Sequence, residues 1–253
     1  VPNLGGVDAR PLPFYDTPLA VIHGRAFGDF GARAATAVLA RLHARGFTTG
    51  TIVDVGCGAG VASAMFCDAG FTVVAFDRSP AMVELTKRAA PDALVSVGTL
   101  ETVRIPANCV AICAISEVLS YAPTAAAADV GLDRFLDVAA SSLCPGGFAA
   151  FDLVAPGRFG PEGRWTMEQS TDDWKLTVSG VEDRVQRAVD RRISGAALMD
   201  DVWKSVEEQH RQITTSGEQV EAATMRAGLT CDLADSYDEL PMHGVTVAWC
   251  TKL

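Results

Sequence analysis

An apolar run that ends in alternate glycines, Ile52-Val53-Asp54-Val55-Gly56-Cys57-Gly58-Ala59-Gly60, is the segment of this chain best suited to hold a ligand. Glycine lets the backbone turn through conformations closed to other residues and approach a bound molecule, and a helix opening after the turn offers it free N–H groups. A second acid, Asp77, ends the next apolar run, Val73-Val74-Ala75-Phe76, seventeen residues past Gly60. At the carboxyl edge of a parallel sheet, a carboxylate in that place accepts hydrogen bonds from both hydroxyls of a ribose. Capping of the next helix, the competing role for Asp77, is better met by Ser79. The spacing is G-x-G-x-G, with Val61 where the dinucleotide fingerprint needs its third glycine, which weakens the alternative of a nicotinamide-dependent oxidoreductase.

The frame that brings this turn and Asp77 to one edge is written in an alternation of short apolar runs and helical segments. Residues 51–55, 72–76, 94–97, 110–115 and 148–153 have strand length, and several are continuously apolar, as strands covered on both faces are. Between and before them, 29–45, 60–69, 80–89 and 127–143 show helical periodicity, with Ser79-Pro80 marking one helix start. This rhythm predicts right-handed βαβ units and an open parallel α/β sheet. Residues 156–215 break it. Trp174, Leu176, Val178 and Gly180 alternate with polar neighbours and 202–213 suits a strand, while 183–194 fits a period of four as well as of two. The rhythm resumes with a helix near 217–227, a strand near 230–236 and a last strand at 245–251. Residues 1–20, with Pro2, Pro11, Pro13 and Pro18, read as an extended arm. The expected parts are an N-terminal arm and lid helix (1–46), a ligand-binding α/β core (47–155 and 216–253) and a β-rich insertion serving as substrate lid (156–215).

Composition narrows the partners. With 253 residues, 49% hydrophobic and 21% charged, the chain has apolar material for one sizeable core carrying an insertion. Its 21 basic against 31 acidic side chains leave a net charge of −10 without any Lys/Arg block, which removes the electrostatic footprint of a nucleic-acid binder. No run approaches the ~18 apolar residues of a membrane span, and residues 1–25 lack the order of a signal peptide, so a soluble, cytoplasmic protein is expected. Seven cysteines, with no C-x-x-C pair and no histidine at ligand spacing, argue against a disulfide framework and a zinc site, and no metal is expected.

The chain resembles the class I S-adenosylmethionine-dependent methyltransferases. Asp54-Val-Gly56-Cys-Gly58-Ala-Gly60 matches the first motif of that family, Asp77 its second-strand acid, and Leu143-Cys-Pro145-Gly146-Gly147-Phe148 the L-x-P-G-G turn before its fifth strand. The resemblance covers about 50–155 and 217–253. It implies a Rossmann-like three-layer sandwich whose mostly parallel seven-stranded sheet ends in an antiparallel C-terminal hairpin. It also implies S-adenosyl-L-methionine as cofactor, S-adenosyl-L-homocysteine as product and a small molecule methylated at oxygen or nitrogen. By the same resemblance Asp54 joins Gly56, Gly58 and Gly60, which border the methionyl part of the cofactor. Asp77 holds the ribose, and Arg78 and Met82 flank the adenine. Gly98-Thr99-Leu100 stands where the family carries an aspartate, so Thr99, Leu100 or Glu101 takes the contact to the adenine amino group.

The segment Ala114-Ile115-Ser116-Glu117-Val118-Leu119-Ser120-Tyr121 resembles a G-E-V-L-x-Y form of small-molecule members, with Ser116 replacing the glycine. It lies where the family places residues near the reactive methyl group. It lacks both the [DNS]-P-P-[YF] signature of amino-methylating enzymes that act on nucleic acid and some proteins and the strand-end aspartate with which metal-dependent catechol-type enzymes hold magnesium. Transfer from a sulfonium is an in-line displacement accelerated by positioning, and a base matters only if the acceptor arrives protonated. Glu117 is the expected general base, with a hydrogen bond to the cofactor or the arm as its other role. His23, Tyr15 and Phe27 belong to the arm that folds over the cofactor in this family, and His23 and His210 are further catalytic candidates. His243, in the final hairpin, is a weaker one. Asp152 ends the fifth strand at the ligand edge, and Trp165, Trp174 and Trp203 are candidates for an apolar acceptor pocket. A protein that binds S-adenosylmethionine without transferring its methyl group shares these motifs and is the second alternative.

Overall fold

A computed structural model describes residues 14–239 and 242–253. Two helices, α1 (Thr17–Ala26) and α2 (Gly28–Ala44), precede an alternating core. It comprises β1 (Thr51–Val55), α3 (Val61–Asp68), β2 (Thr72–Asp77), α4 (Pro80–Ala89), β3 (Leu94–Val97), β4 (Cys109–Ala114), a single 3-10 turn at Val118–Ser120, α5 (Ala125–Ser142) and β5 (Leu143–Val154). An inserted antiparallel sheet follows, of β6 (Arg164–Ser170), β7 (Trp174–Asp183), β8 (Ala188–Met199) and β9 (Val202–Ile213). The chain then returns through α6 (Gly217–Arg226), β10 (Thr230–Ala234) and β11 (Val245–Thr251). The main sheet has the order β10-β11-β5-β4-β1-β2-β3, parallel except for β11, which runs antiparallel to both neighbours. This is the mostly parallel, seven-stranded arrangement that the strand–helix rhythm and the family resemblance predict.

The central apolar runs are continuous because alternate residues feed two cores. On β1, Ile52 packs with α2 and α3 while Val53 packs with α5 and α6. The same split separates Val110 from Ile112 on β4 and Phe148 from Phe151 on β5. Phe135 and Phe151, both fully buried, meet edge to face at 5.2 Å. Burial of each such side chain contributes about 1.5–3 kcal/mol.

Two expectations are corrected and one open segment is settled. Helix α1 begins inside the stretch expected to be extended: the Asp16 carboxylate accepts the Thr17 N–H at 2.7 Å, and Pro18 sits in the first turn, where no N–H is missed. Residues 1–13 of that arm lie outside the described residues. The Leu143-Cys-Pro145-Gly146-Gly147 stretch is not a turn ahead of the fifth strand but its first residues, and a register shift between Cys109 and Ala111 accommodates them. Residues 183–194, open between two periods, form the β7–β8 hairpin.

Helix α1 is held between core and insertion. Its Leu19 and Ile22 pack on Trp174, Leu176, Val178 and Val206 of the inserted sheet. On the other side, a Cβ at Gly24 would stand 3.0 Å from that of Ala59, so α1 comes close to the turn before α3. No helix among the described residues is long and apolar enough to cross a membrane.

Candidate active site

A cavity of about 360 Å³ opens at the carboxyl edge of the parallel strands. Its walls are the turn after β1, the end of β2, residues 98–101 and 115–122, and the arm with the facing side of α1 and α2. Asp54, Gly56, Gly58, Asp77, Arg78, Met82, Thr99, Leu100 and Ser116 line it, as do Tyr15, His23 and Phe27. Gly60, Glu117 and His210 do not.

The glycine turn explains its own composition. Gly56, Gly58 and Gly60 have φ of +67°, +56° and +84°, left-handed values that favour glycine. A Cβ on Gly58 would meet nothing within 4 Å, so this residue faces open space. A Cβ on Gly60 would lie 2.7 Å from the Thr86 Cα; that glycine serves the approach of α3 and α4 rather than the border of a ligand. Asp54 Oδ2 accepts the Ser63 hydroxyl at 2.5 Å, and burial pushes its carboxyl up to about 6 against that bond. Asp77 accepts the Gly58 N–H at 3.1 Å and the Ser79 N–H at 2.8 Å, one on each oxygen. Burial raises its carboxyl above the ordinary value despite these bonds. A carboxylate has about four acceptor sites, so each oxygen keeps capacity for a ligand hydroxyl. Ser79 caps α4 by accepting the Met82 N–H at 3.2 Å.

The opposite wall turns on two left-handed residues, Ser116 and Glu117, with φ of 72° and 60°. Asp152, fully buried, accepts both of their N–H groups, at 2.8 and 2.7 Å, and the Tyr237 hydroxyl at 2.8 Å. Burial, then the nearby Glu117 charge, push the Asp152 carboxyl up to about 7 against those three donors. The left-handed turn sends the Glu117 side chain away from the cavity, to Arg158 and to Gln212 Nε2 at 2.8 Å. Burial alone would raise the Glu117 carboxyl, but the Arg158 and Arg191 charges and these two bonds outweigh it and hold it below the usual range. Glu117, the expected general base, thus lies off the cavity wall and is held by Arg158 and Gln212.

The arm supplies the remaining wall. His23 on α1 lies between the rings of Tyr15 at 5.1 Å and Phe27 at 5.3 Å. Burial, then the charges of Arg191 and His210, lower its imidazole to about 4. His23 is thus expected to stay neutral well below the ordinary histidine range. An NMR titration of its ring should give a midpoint near 4, and a midpoint of 6 or above would refute the buried, cation-facing placement. Because the unfolded chain takes this proton at higher pH, the His23 contribution to stability is lost as pH falls from about 6.5 through about 4.

His210 stands behind the wall. Its Nε2 meets Glu208 Oε2 at 2.7 Å, its buried Nδ1 has no partner among the described residues, and its ring lies 4.9 Å from that of Tyr15. Trp174 packs in the core beneath α1, Trp165 stacks on Phe159 at 5.1 Å, and Trp203 is 49% exposed next to the β8–β9 turn. None of the three lines the cavity, and neither does any other residue of 156–215. The three candidates for an acceptor pocket thus stand off this cavity, two of them in packing contacts. His243 is exposed beside the start of β11. Among the described residues no group of three or more His, Cys, Asp or Glu side chains is placed to hold a metal ion.

Sequence reasoning missed Phe14, whose ring receives the Arg78 guanidinium at 3.7 Å, and the partners Arg191 and Glu208 described below. A usable signal existed for the arm: Gly24, Gly28 and Gly31, all on the cavity wall, recur at helical spacing.

Residues 53–151 match the family described as a methyltransferase domain. No curated protein sequence matches the chain. Among solved structures, the chain is similar to an S-adenosylmethionine-dependent methyltransferase from Clostridium acetobutylicum, with a TM-score of 0.77 at 15% identity over 92% of this chain and 97% of that one. It is also similar to an amino pentose methyltransferase from Micromonospora echinaspora involved in calicheamicin biosynthesis, solved with S-adenosylmethionine bound (TM-score 0.70, 18% identity, 96% and 100% covered). A sugar N-methyltransferase from Streptoalloteichus gives a TM-score of 0.72 at 17% identity, with 100% and 98% covered. At these identities the likeness is one of fold.

Proposed function

We propose that this chain, which belongs to the class I S-adenosylmethionine-dependent methyltransferases, moves the methyl group of S-adenosyl-L-methionine to an oxygen or nitrogen of a small molecule without a metal ion. The observation that carries the reading is the pairing of Gly58 and Asp77 on one cavity wall. Gly58 leaves open the space a side chain would take, and Asp77 beside it keeps unused acceptor capacity. These residues fit the cofactor: Asp77 would hold the ribose, Arg78, Met82 and Leu100 the adenine, and Gly56, Gly58 and Ser116 the methionyl part. When bound, the cofactor supplies a methyl group already activated on a sulfonium, and S-adenosyl-L-homocysteine is left. The chain contributes position and dryness. Tyr15, Phe27 and Tyr121 wall the cavity with rings that exclude water, and His23, neutral down to about pH 4, offers a ring nitrogen to orient an acceptor hydroxyl rather than to hold its proton. The amino pentose and sugar activities of the structural neighbours support a small polar acceptor such as an amino sugar.

Calorimetric titration with S-adenosylmethionine, S-adenosylhomocysteine and a nicotinamide dinucleotide tests the cofactor; binding of only the last would overturn the reading. Transfer of labelled methyl from S-adenosylmethionine into a panel of amino and hydroxy sugars then tests the acceptor class. Transfer is expected to survive EDTA, since no ligand cluster for a metal is found among the described residues. Activity lost to EDTA and restored by magnesium would reject metal independence.

A further inference from the structure

The inserted sheet puts no side chain on the cavity wall, yet beside its apolar patch under α1 the face it turns inward carries buried polar groups where apolar ones would pack more cheaply. On β9, Val206 is followed at period two by Glu208, His210 and Gln212, all buried, and Arg191 pairs directly across from His210 on β8. Buried polar groups persist where they hold something, so their partners state their purpose.

Glu208 holds the arm. Its Oε2 accepts the Tyr15 N–H at 2.7 Å and its Oε1 the Asp16 N–H at 2.8 Å, while His210 Nε2 meets Oε2. Tyr15 has a φ of 47°, a left-handed conformation that a residue with a side chain keeps only under constraint. The constraint comes from both sides, since the Ser79 hydroxyl donates to the Tyr15 carbonyl at 2.8 Å from the cofactor edge of the core. Arg191 holds the next residue of the wall: its Nη2 donates to the Tyr121 hydroxyl, which lies 2.9 Å from that of Tyr15. A guanidinium has donors only, so the Tyr121 oxygen must accept from it. Arg191 forms no salt bridge with a carboxylate among the described residues; its side-chain hydrogen bond goes to the tyrosine pair, while its charge also acts on Glu117. Gln212 fixes Glu117 on the far side of the 116–121 segment.

We propose that Glu208 and Arg191 are positioning residues that act through Tyr15 and Tyr121, so that the insertion shapes the cavity where cofactor and acceptor meet without touching either. The proposal rests on the functional reading above only for the identity of the ligand. It gives the insertion a task other than that of a lid, and it explains why α1 packs on the inserted sheet while its His23 faces the cavity.

The test reads amide hydrogen exchange and S-adenosylhomocysteine affinity in the full chain. Glu208→Gln keeps size and one acceptor oxygen but removes the charge. The Tyr15 and Asp16 amides should then exchange about 10–100-fold faster, and the S-adenosylhomocysteine Kd should rise about 10-fold, while amides of β1 and β4 keep their protection. Glu207→Gln, on the exposed face of the same strand, should change neither readout. Glu208→Asp keeps the charge and should recover part of both effects, which separates positioning from simple loss of fold if the glutamine variant is unstable. Unchanged exchange at Tyr15 and Asp16 would overturn the clamp. Faster exchange with unchanged affinity would overturn its action on the cavity. If the wild type fails to bind S-adenosylhomocysteine, the functional reading falls, and the exchange measurement still decides the clamp.

Discussion

Asp77→Ala is expected to weaken S-adenosylmethionine binding about 30–150-fold, roughly 2–3 kcal/mol, as befits the loss of two hydrogen bonds to a charged acceptor. The stability of the ligand-free protein should change far less. Removal of the carboxylate leaves the Gly58 and Ser79 N–H groups without their acceptor, but it also relieves a charge that burial already disfavours. Asp77→Asn keeps one acceptor oxygen and should fall between the two. Because the Asp77 carboxyl titrates above the ordinary aspartate value in the free protein, wild-type affinity should decline with acid earlier than an ordinary aspartate would dictate. The asparagine variant should lack that decline. Calorimetry of both variants across pH checks the assignment, and unchanged affinity in Asp77→Ala would remove Asp77 from the site.

The readable parts of this chain are those where one physical cause writes one pattern. The central runs of β1, β4 and β5 are apolar on both faces, broken only by Asp54 and Asp152 near the ligand edge, because each face is covered, and no solvated strand imitates that. The glycine turn and Asp77 are legible because φ above zero and a strand-end acid leave few other residue choices. Glu117 shows the limit. Its place in the sequence points at the reactive methyl, but a φ of 60° turns its side chain to Arg158, and backbone handedness at a non-glycine residue has no sequence signature. The inward polar stripe of β9 fails for another reason: Glu208, His210 and Gln212 at period two look the same whether that face meets water or the arm. Pro18 misleads in a third way, since a proline that forbids a helix interior is favoured in a first turn, and only the Asp16 cap tells the two apart.

Asp152→Ala should be the most destabilising single change near the site, by about 3–5 kcal/mol, because it strands the Ser116 and Glu117 N–H groups and the Tyr237 hydroxyl at a fully buried position. At roughly 2–4 °C per kcal/mol for a chain of this size, the melting temperature should fall by about 10–15 °C. The left-handed turn at Ser116 and Glu117 loses its only described side-chain acceptor, so cofactor affinity should fall with stability, even though Asp152 itself is not on the cavity wall. Asp152→Asn isolates the charge, since its amide can still accept from two of the donors but confronts the third with a donor of its own. The sign of the pH dependence follows from the raised carboxyl. With a folded value of about 7 against an unfolded value near 3.9, the folded state binds this proton more tightly. Its contribution to stability is therefore full below about pH 4 and lost as pH rises through about 7. The asparagine variant does not titrate there, so the stability gap between wild type and Asp152→Asn should narrow from pH 5 to pH 8 in chemical denaturation. A gap that widens over that range would mean that the three donors, rather than burial and the Glu117 charge, set the protonation of Asp152.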